Sequence, residues 1–188
     1  MTAPRACGKS SGRMAILPIL RYPHEVLAMD SEPVREITPD IERLVRDMVE
    51  TMHAAPGVGL AANQVGVALQ VAVVDLSAGE RSGEVLVLIN PRIVESSGAD
   101  VEEEGCLSLP GFTERVSRPA LCVIEAMDLE GKMRTLEGRE LRARAFNHEI
   151  DHLHGRLFIE HLSPLKRRLI KRKVQKRMRA GDWDQVPA

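Results

Sequence analysis

Hydrophobic and polar positions alternate with two different periods along this chain, and the switches between them mark its elements. In PDIERLVRDMVETMHAA, residues 39–55, Ile41, Leu44, Val45, Met48, Val49 and Met52 recur at helical spacing on one face. Thr38 suits the cap, Pro39 the first turn, and Pro56-Gly57 stop the run. Short runs rich in Val, Ile and Leu follow: LQVAVVDL (69–76), EVLVLIN (84–90), RIVES (92–96) and ALCVIEAMD (120–128). The turn signals SAGERSG, NP and DLEG separate strands here, and such connections are too short for helical crossovers, so the strands are predicted to be mostly antiparallel. ELRARAFNHEIDHLH (140–154) reads as a second helix ended by Gly155. Ser163-Pro164 open a third, in which Leu165, Leu169, Ile170, Val174 and Met178 are expected to pack. The prediction is an α+β fold: mostly antiparallel strands around a central helix, with an N-terminal helix and a basic C-terminal helix.

Composition narrows this picture. A chain of 188 residues with 44% hydrophobic and 28% charged residues suits one globular domain, and 3% aromatics make its core aliphatic. No internal repeat or low-complexity tract breaks it, and no apolar run is long enough to span a membrane. Three cysteines cannot form a disulfide framework and fit a reducing compartment. MTAPRACGKSSGR (1–13) is basic and acid-free but lacks the apolar segment of a secretory signal, and it is very short for a transit peptide. It is expected to be a disordered extension, with a single catalytic domain over 14–188. Charge is unevenly spread: residues 166–179 hold nine basic side chains and no acid, leaving 17 basic against 27 acidic residues elsewhere.

Candidate chemistry centres on FNHEIDHLHG, residues 146–155. Residues four apart share a helix face, so His148 and His152 can aim both imidazoles at one ion, and Glu149, about 100° round, can reach a water there without ligating. A catalytic site needs a third protein ligand and an open position. Phe158 stands where one protease pattern requires His, and no glutamate follows Glu160, so His161 is the only downstream candidate and its spacing fits neither protease scheme. Upstream, Cys106 in EEEGCLSLPG is the candidate, since thiolate sits well beside two imidazoles; the alternative is a small buried cysteine, the reading that suits Cys122. GVGLAANQVG (57–66) lacks the glycine spacing of a dinucleotide loop and follows a helix rather than a strand. It reads better as an extended edge able to bond a peptide backbone.

Three segments, GVGLAANQ (57–64), EGCLSLP (104–110) and HEIDH (148–152), together resemble peptide deformylase in order and spacing. The resemblance implies a metal-dependent hydrolase that removes the N-formyl group from the initiator N-formylmethionine of nascent polypeptides, releasing formate. It implies Cys106, His148 and His152 as ligands of one divalent ion, Fe2+ expected, with Zn2+, Ni2+ or Co2+ tolerated. Glu149 would be general base and then acid, and Gln64 and the Leu107 N–H would donate to the substrate carbonyl. Gly59 would offer backbone contacts. Asn147 stands where many members have Gln. Val58, Leu141 and the helix face near His148 are candidates for the methionine slot, or plain core. Glu103, Glu104 and Asp151 are taken as surface carboxylates or partners of the ligands. The expected partners are formyl-Met nascent peptides and, through the basic helix, the ribosome, in a bacterial cytoplasm rather than an organelle, with no membrane or DNA partner. A solvated amphipathic helix is the simpler reading of the basic segment. The competing activity is a zinc endopeptidase of the His-Glu-x-x-His type with a cysteine third ligand. A non-enzymatic metal-binding or ribosome-associated module is the third reading.

Overall fold

Thr38 caps the first helix as its sequence predicts, its Oγ1 accepting from Ile41 N at 3.4 Å. In the computed structural model this helix, α1, spans Pro39–Ala54 and buries Ile41, Val45, Met48 and Met52, with Asp40 and Glu42 in the first turn where the helix dipole favours acids. Residues 15–81 and 83–185 are described. The expected N-terminal extension, with Cys7, lies outside the described residues.

Seven strands follow α1: β1 Gly59–Ala61, β2 Val71–Val74, β3 Leu86–Ser97, β4 Asp100–Gly105, β5 Thr113–Arg118, β6 Leu121–Met127 and β7 Met133–Arg139. Then come α2, Glu140–Leu153, and α3, Pro164–Ala180. Strands β1-β2-β3-β6-β7 form one sheet in that order, antiparallel throughout, and β4-β5 form a separate antiparallel pair. The α+β expectation therefore holds, with two corrections among the strands. Asn90-Pro91 does not separate two strands but lies inside β3. The register with β6 slips between Ile89 and Arg92, so Pro91 sits at an irregularity that needs no ladder donor. Asn90, at φ 50°, exchanges two 2.8 Å side-chain bonds with the backbone of Val34, which anchors the kink. Strand β1 lies within the extended edge expected at 57–66, whereas β4, β5 and β7 have no counterpart among the predicted strands. Segments such as DVEEEG and TERVSR carry no apolar alternation because only Glu104, Val116 and Arg118 of that pair are buried.

Helix α2 lays Ala143, Phe146, Ile150 and Leu153 on Ala72, Leu88 and Ile124 of the large sheet. A second cluster sits between α1 and the opposite face, around Leu60, Val71, Val73 and Ile89. Gly155 ends α2 at φ 65°, and a Cβ there would meet Ala28 O at 2.6 Å, so both conformation and space demand glycine. Ser163 caps α3. Only Ile170 and Val174 of α3 are buried, against Phe158, Ile159 and Trp183, whereas Leu165, Leu169 and Met178 are exposed. The helix lies at the periphery and leans on the protein along one narrow stripe, so the wider packing face expected of it is absent. Among the described residues no helix is long and apolar enough to cross a membrane.

Candidate metal centre and active site

The floor of the site is α2, which carries His148 and His152 one turn apart with ring centroids 4.9 Å from each other. The wall is the end of β4 and the loop beyond it, where the chain presents Cys106. Cys106 Sγ lies 3.1 Å from His152 Nε2, and the ligand atoms of Cys106, His148 and His152 all fall within 4.8 Å of one another. The expected triad thus meets in space although its members are far apart in the chain. His161, the downstream candidate, is elsewhere: its Nε2 is 2.7 Å from Asp151 Oδ2 and 3.0 Å from Arg118 Nη1.

Glu104 is the residue whose importance the sequence reading understated. It is buried, and its Oε1 lies 2.7 Å from His148 Nδ1. Arg118 donates to both of its oxygens, at 2.6 and 3.0 Å, and Arg144 Nη1 donates to Oε2 at 2.9 Å. Burial opposes the charge, but hydrogen bonds and attraction from His148 and Arg118 hold the carboxyl far below its usual range. An ionised Glu104 fixes the Nδ1–H tautomer of His148 and leaves Nε2 free to ligate. On the other ligand, Asn63 donates its side-chain amide to the His152 carbonyl. Neither the buried arginines nor Glu104 had a sequence signal: in DVEEEG, Glu102 and Glu103 are exposed and Glu104 alone turns inward.

Electrostatics within the cluster suit a cation. Burial disfavours the Cys106 thiolate, yet the charge of His152 and bonds to both histidines bring its pKa down to about 5. Burial lowers the His148 pKa, but the bonds to Cys106 and Glu104 raise it well above its ordinary value. One sulfur and two imidazole nitrogens are the donors that zinc and ferrous iron accept. His152 Nδ1 and Glu149 Oε2 are buried with no hydrogen-bond partner among the described residues, and His152 turns its Nε2 toward Cys106. The residues therefore fit a single divalent ion.

Glu149 is almost wholly buried, and burial pushes its pKa up to about 7 against the attraction of both histidines. It packs against β1, where a Cβ on Gly59 would stand 2.2 Å from its Oε1, so glycine permits the approach. Gln64 is buried beside them; its Oε1 accepts from Ala61 N at 2.8 Å, which turns Nε2 toward Ser108 Oγ at 3.1 Å and Cys106 Sγ at 3.7 Å. A cleft of about 380 Å³ opens over these groups, lined by Val58, Gly59, Gln64, Leu107, Leu141 and Ala145 among others. Leu141 lies on its exposed rim, and Glu103 lines it without approaching the ligands' anchoring network. Leu109, Pro110 and Phe112 also line it.

The model of the polypeptide deformylase family matches residues 16–168. The chain belongs to the peptide deformylase family. It is 48% identical over 170 residues to the peptide deformylase of Acidobacterium capsulatum, covering 90% of this chain and 100% of that one. With the enzyme of Thermodesulfovibrio yellowstonii the identity is 49% over 162 residues, 86% and 98% of the two chains. The crystal structure of a peptide deformylase from Legionella pneumophila superposes with a TM-score of 0.83 at 42% identity, covering 89% of this chain and 98% of that one. As a deformylase the chain is a metal-dependent hydrolase that removes the formyl group of nascent polypeptides, and the endopeptidase alternative loses its support.

Proposed function

We propose that Glu149 is the general base and acid of deformylation, working beside an ion held by Cys106, His148 and His152. The observation that carries this reading is the convergence of one thiol, two imidazoles and a buried carboxyl at the foot of one cleft. Fe2+ is the proposed native ion, with Zn2+, Ni2+ and Co2+ able to use the same donors. When bound, the ion supplies Lewis acidity, which favours ionisation of water and polarises a carbonyl. Glu149 takes the proton of the attacking water and delivers it to the departing methionine nitrogen. Burial, which raises the Glu149 pKa, favours its holding the proton between the two halves of that transfer.

Gln64 Nε2 and the Leu107 N–H donate to the oxygen that gains charge as the formyl carbon becomes tetrahedral. Such a donor is worth ~3–4 kcal/mol in other enzymes. The peptide backbone lies along β1, the edge strand of the large sheet, and Gly59 lets it come close. The methionine side chain enters between Val58 and Leu141 at the cleft. The basic helix contacts ribosomal RNA phosphates while residues 14–188 act as one catalytic unit in the bacterial cytoplasm. The exposed basic side chains of α3, Arg168, Arg172 and Arg179 among them, support that contact.

The test is anaerobic purification followed by metal analysis and formate release from formyl-Met peptides on one sample. Wild-type protein should release formate without internal cleavage. Glu149→Ala should lose at least ~10²–10⁴-fold in turnover while keeping its metal. Cys106→Ser should lose the metal, because a neutral hydroxyl replaces a thiolate. A fully active Glu149→Ala would falsify the proton-transfer role, and cleavage of unformylated peptides without formate would restore the endopeptidase.

A further inference from the structure

A second concavity, about 560 Å³, opens between α3 and the loop joining β4 to β5. Gly111, Phe112 and Thr113 line both it and the catalytic cleft, so one stretch of chain forms the wall between them. The helix side of this concavity is cationic. Lys173, Lys176 and Arg177 are spaced i, i+3 and i+4, which puts them on one side of α3, and all three line the space. Arg177 lies 5.2 Å from the centroid of the Phe112 ring, and its Nη1 is buried with no hydrogen-bond partner. Lys173 and Lys176 are exposed and make no side-chain hydrogen bond or ion pair among the described residues. Of the two acids in the lining, Glu114 is engaged by Lys166 at 2.6 Å, which leaves Asp182. Three cations thus face one uncommitted carboxylate, on a chain whose body is otherwise acidic.

We propose that this concavity is a subsite for acidic side chains of the substrate, reached once formyl-methionine is seated in the catalytic cleft. The proposal rests on the deformylase reading and adds a preference within it. An extended chain advances ~3.3 Å per residue, so four to six residues span roughly 13–20 Å, and carboxylates at those positions are assigned to the lysines. Exposed charges act weakly and are screened by salt. The preference is therefore modest, about three- to tenfold in kcat/KM, expressed through KM, and smaller at high salt. Arg168, Arg172 and Arg179 occupy another face of α3 and take no part.

The experiment compares formyl-Met peptides identical except for Glu, Ala or Lys at positions four to six, by formate release from the metal-loaded enzyme at low and high salt. The wild-type Glu-to-Ala ratio should exceed about three at low salt. It should fall to near one in Lys173→Ala/Lys176→Ala and survive in Lys173→Arg/Lys176→Arg. Each ratio is taken within a single protein, so altered folding or metal loading cancels. A wild-type ratio of one, or a ratio that survives the double alanine variant, overturns the subsite and leaves the deformylase reading intact. No formate from any peptide overturns that reading instead. A flat ratio combined with loss of ribosomal RNA binding in the double alanine variant assigns these lysines to RNA and overturns the subsite too.

Discussion

Glu104 holds His148 by its Nδ1 at 2.7 Å, and the same carboxylate neutralises two buried arginines, Arg118 and Arg144. One residue thus orients a proposed metal ligand and closes the electrostatics beneath it. Glu104→Gln keeps the shape and removes the charge. Metal affinity should fall ~10–100-fold through the loosened imidazole. Stability should fall by about 2 kcal/mol, because two buried guanidinium groups lose charged hydrogen bonds, while as counter-ions Arg118 keeps Asp151 at 2.5 Å and Arg144 keeps only the more distant Asp100 at 3.5 Å. Competition with a chelator and denaturant unfolding read the two effects separately. Unchanged affinity would show that His148 is oriented without Glu104.

Gly59→Ala tests the contact between β1 and Glu149. The new Cβ would stand 2.2 Å from Oε1 and 2.8 Å from Cδ, so the carboxylate must move. The obstructed group is the end of a flexible side chain, so the fold should lose less than about 1 kcal/mol. A displacement of about 1 Å at the reacting group can cost ~10²-fold in kcat/KM, and that is the expected loss, with metal content unchanged. Full activity would mean that Glu149 works from another rotamer.

Asp75 ties the turn after β2 to α1. Its carboxylate accepts from Ser77 N at 2.9 Å, Ser77 Oγ at 2.7 Å and Gly79 N at 3.0 Å, and it meets His53 Nε2 at 2.9 Å. Burial raises its pKa, but these bonds outweigh burial and lower it below the ordinary 3.8. A depressed folded-state pKa stabilises the fold above the unfolded value, about 3.9, and that contribution disappears as pH falls through the folded value. Asp75→Asn should therefore lower Tm at neutral pH and flatten the loss of stability on the acid side below about pH 4. Thermal melts across that range decide it; an acid limb as steep as wild type would exclude Asp75 as its source.

Trp183 joins the end of the described chain to its beginning. Its ring is buried beside Phe112 at 6.1 Å between centroids, and its Nε1 donates to Tyr22 O at 2.8 Å. Trp183→Ala should cost about 3–5 kcal/mol by opening the third core cluster. Trp183→Phe should cost less, about 1 kcal/mol of it from the unpaired Tyr22 carbonyl. Urea midpoints of the two variants measure both terms, and equal values would put the whole effect in the hydrogen bond.

Much of this protein is local and could be read without coordinates. Thr38-Pro39, Gly155 and Ser163-Pro164 mark helix ends through backbone chemistry that depends only on neighbouring residues. His148 and His152 share a face because a helix repeats every ~3.6 residues, and the spacing is enough to place them. Strands were less legible. Asn90-Pro91 carries a turn signal, and only pairing with β6 and the Val34 anchor keep it within one strand. The exposed Leu165, Leu169 and Met178 show the reverse case, an apolar pattern that meets no partner.

The sequence by itself determined the helices, the histidine pair, the glycine-rich edge and, by resemblance, the family. The tertiary structure alone decided that β4 and its following loop lie against α2. That placement puts Cys106 beside His152, turns Glu104 onto His148 and two arginines, and buries Glu149 against Gly59. The physical reason is range. Caps and helical periodicity act over a few bonds, whereas desolvation, charge pairing and ligand convergence depend on which distant segments exclude water from the same space.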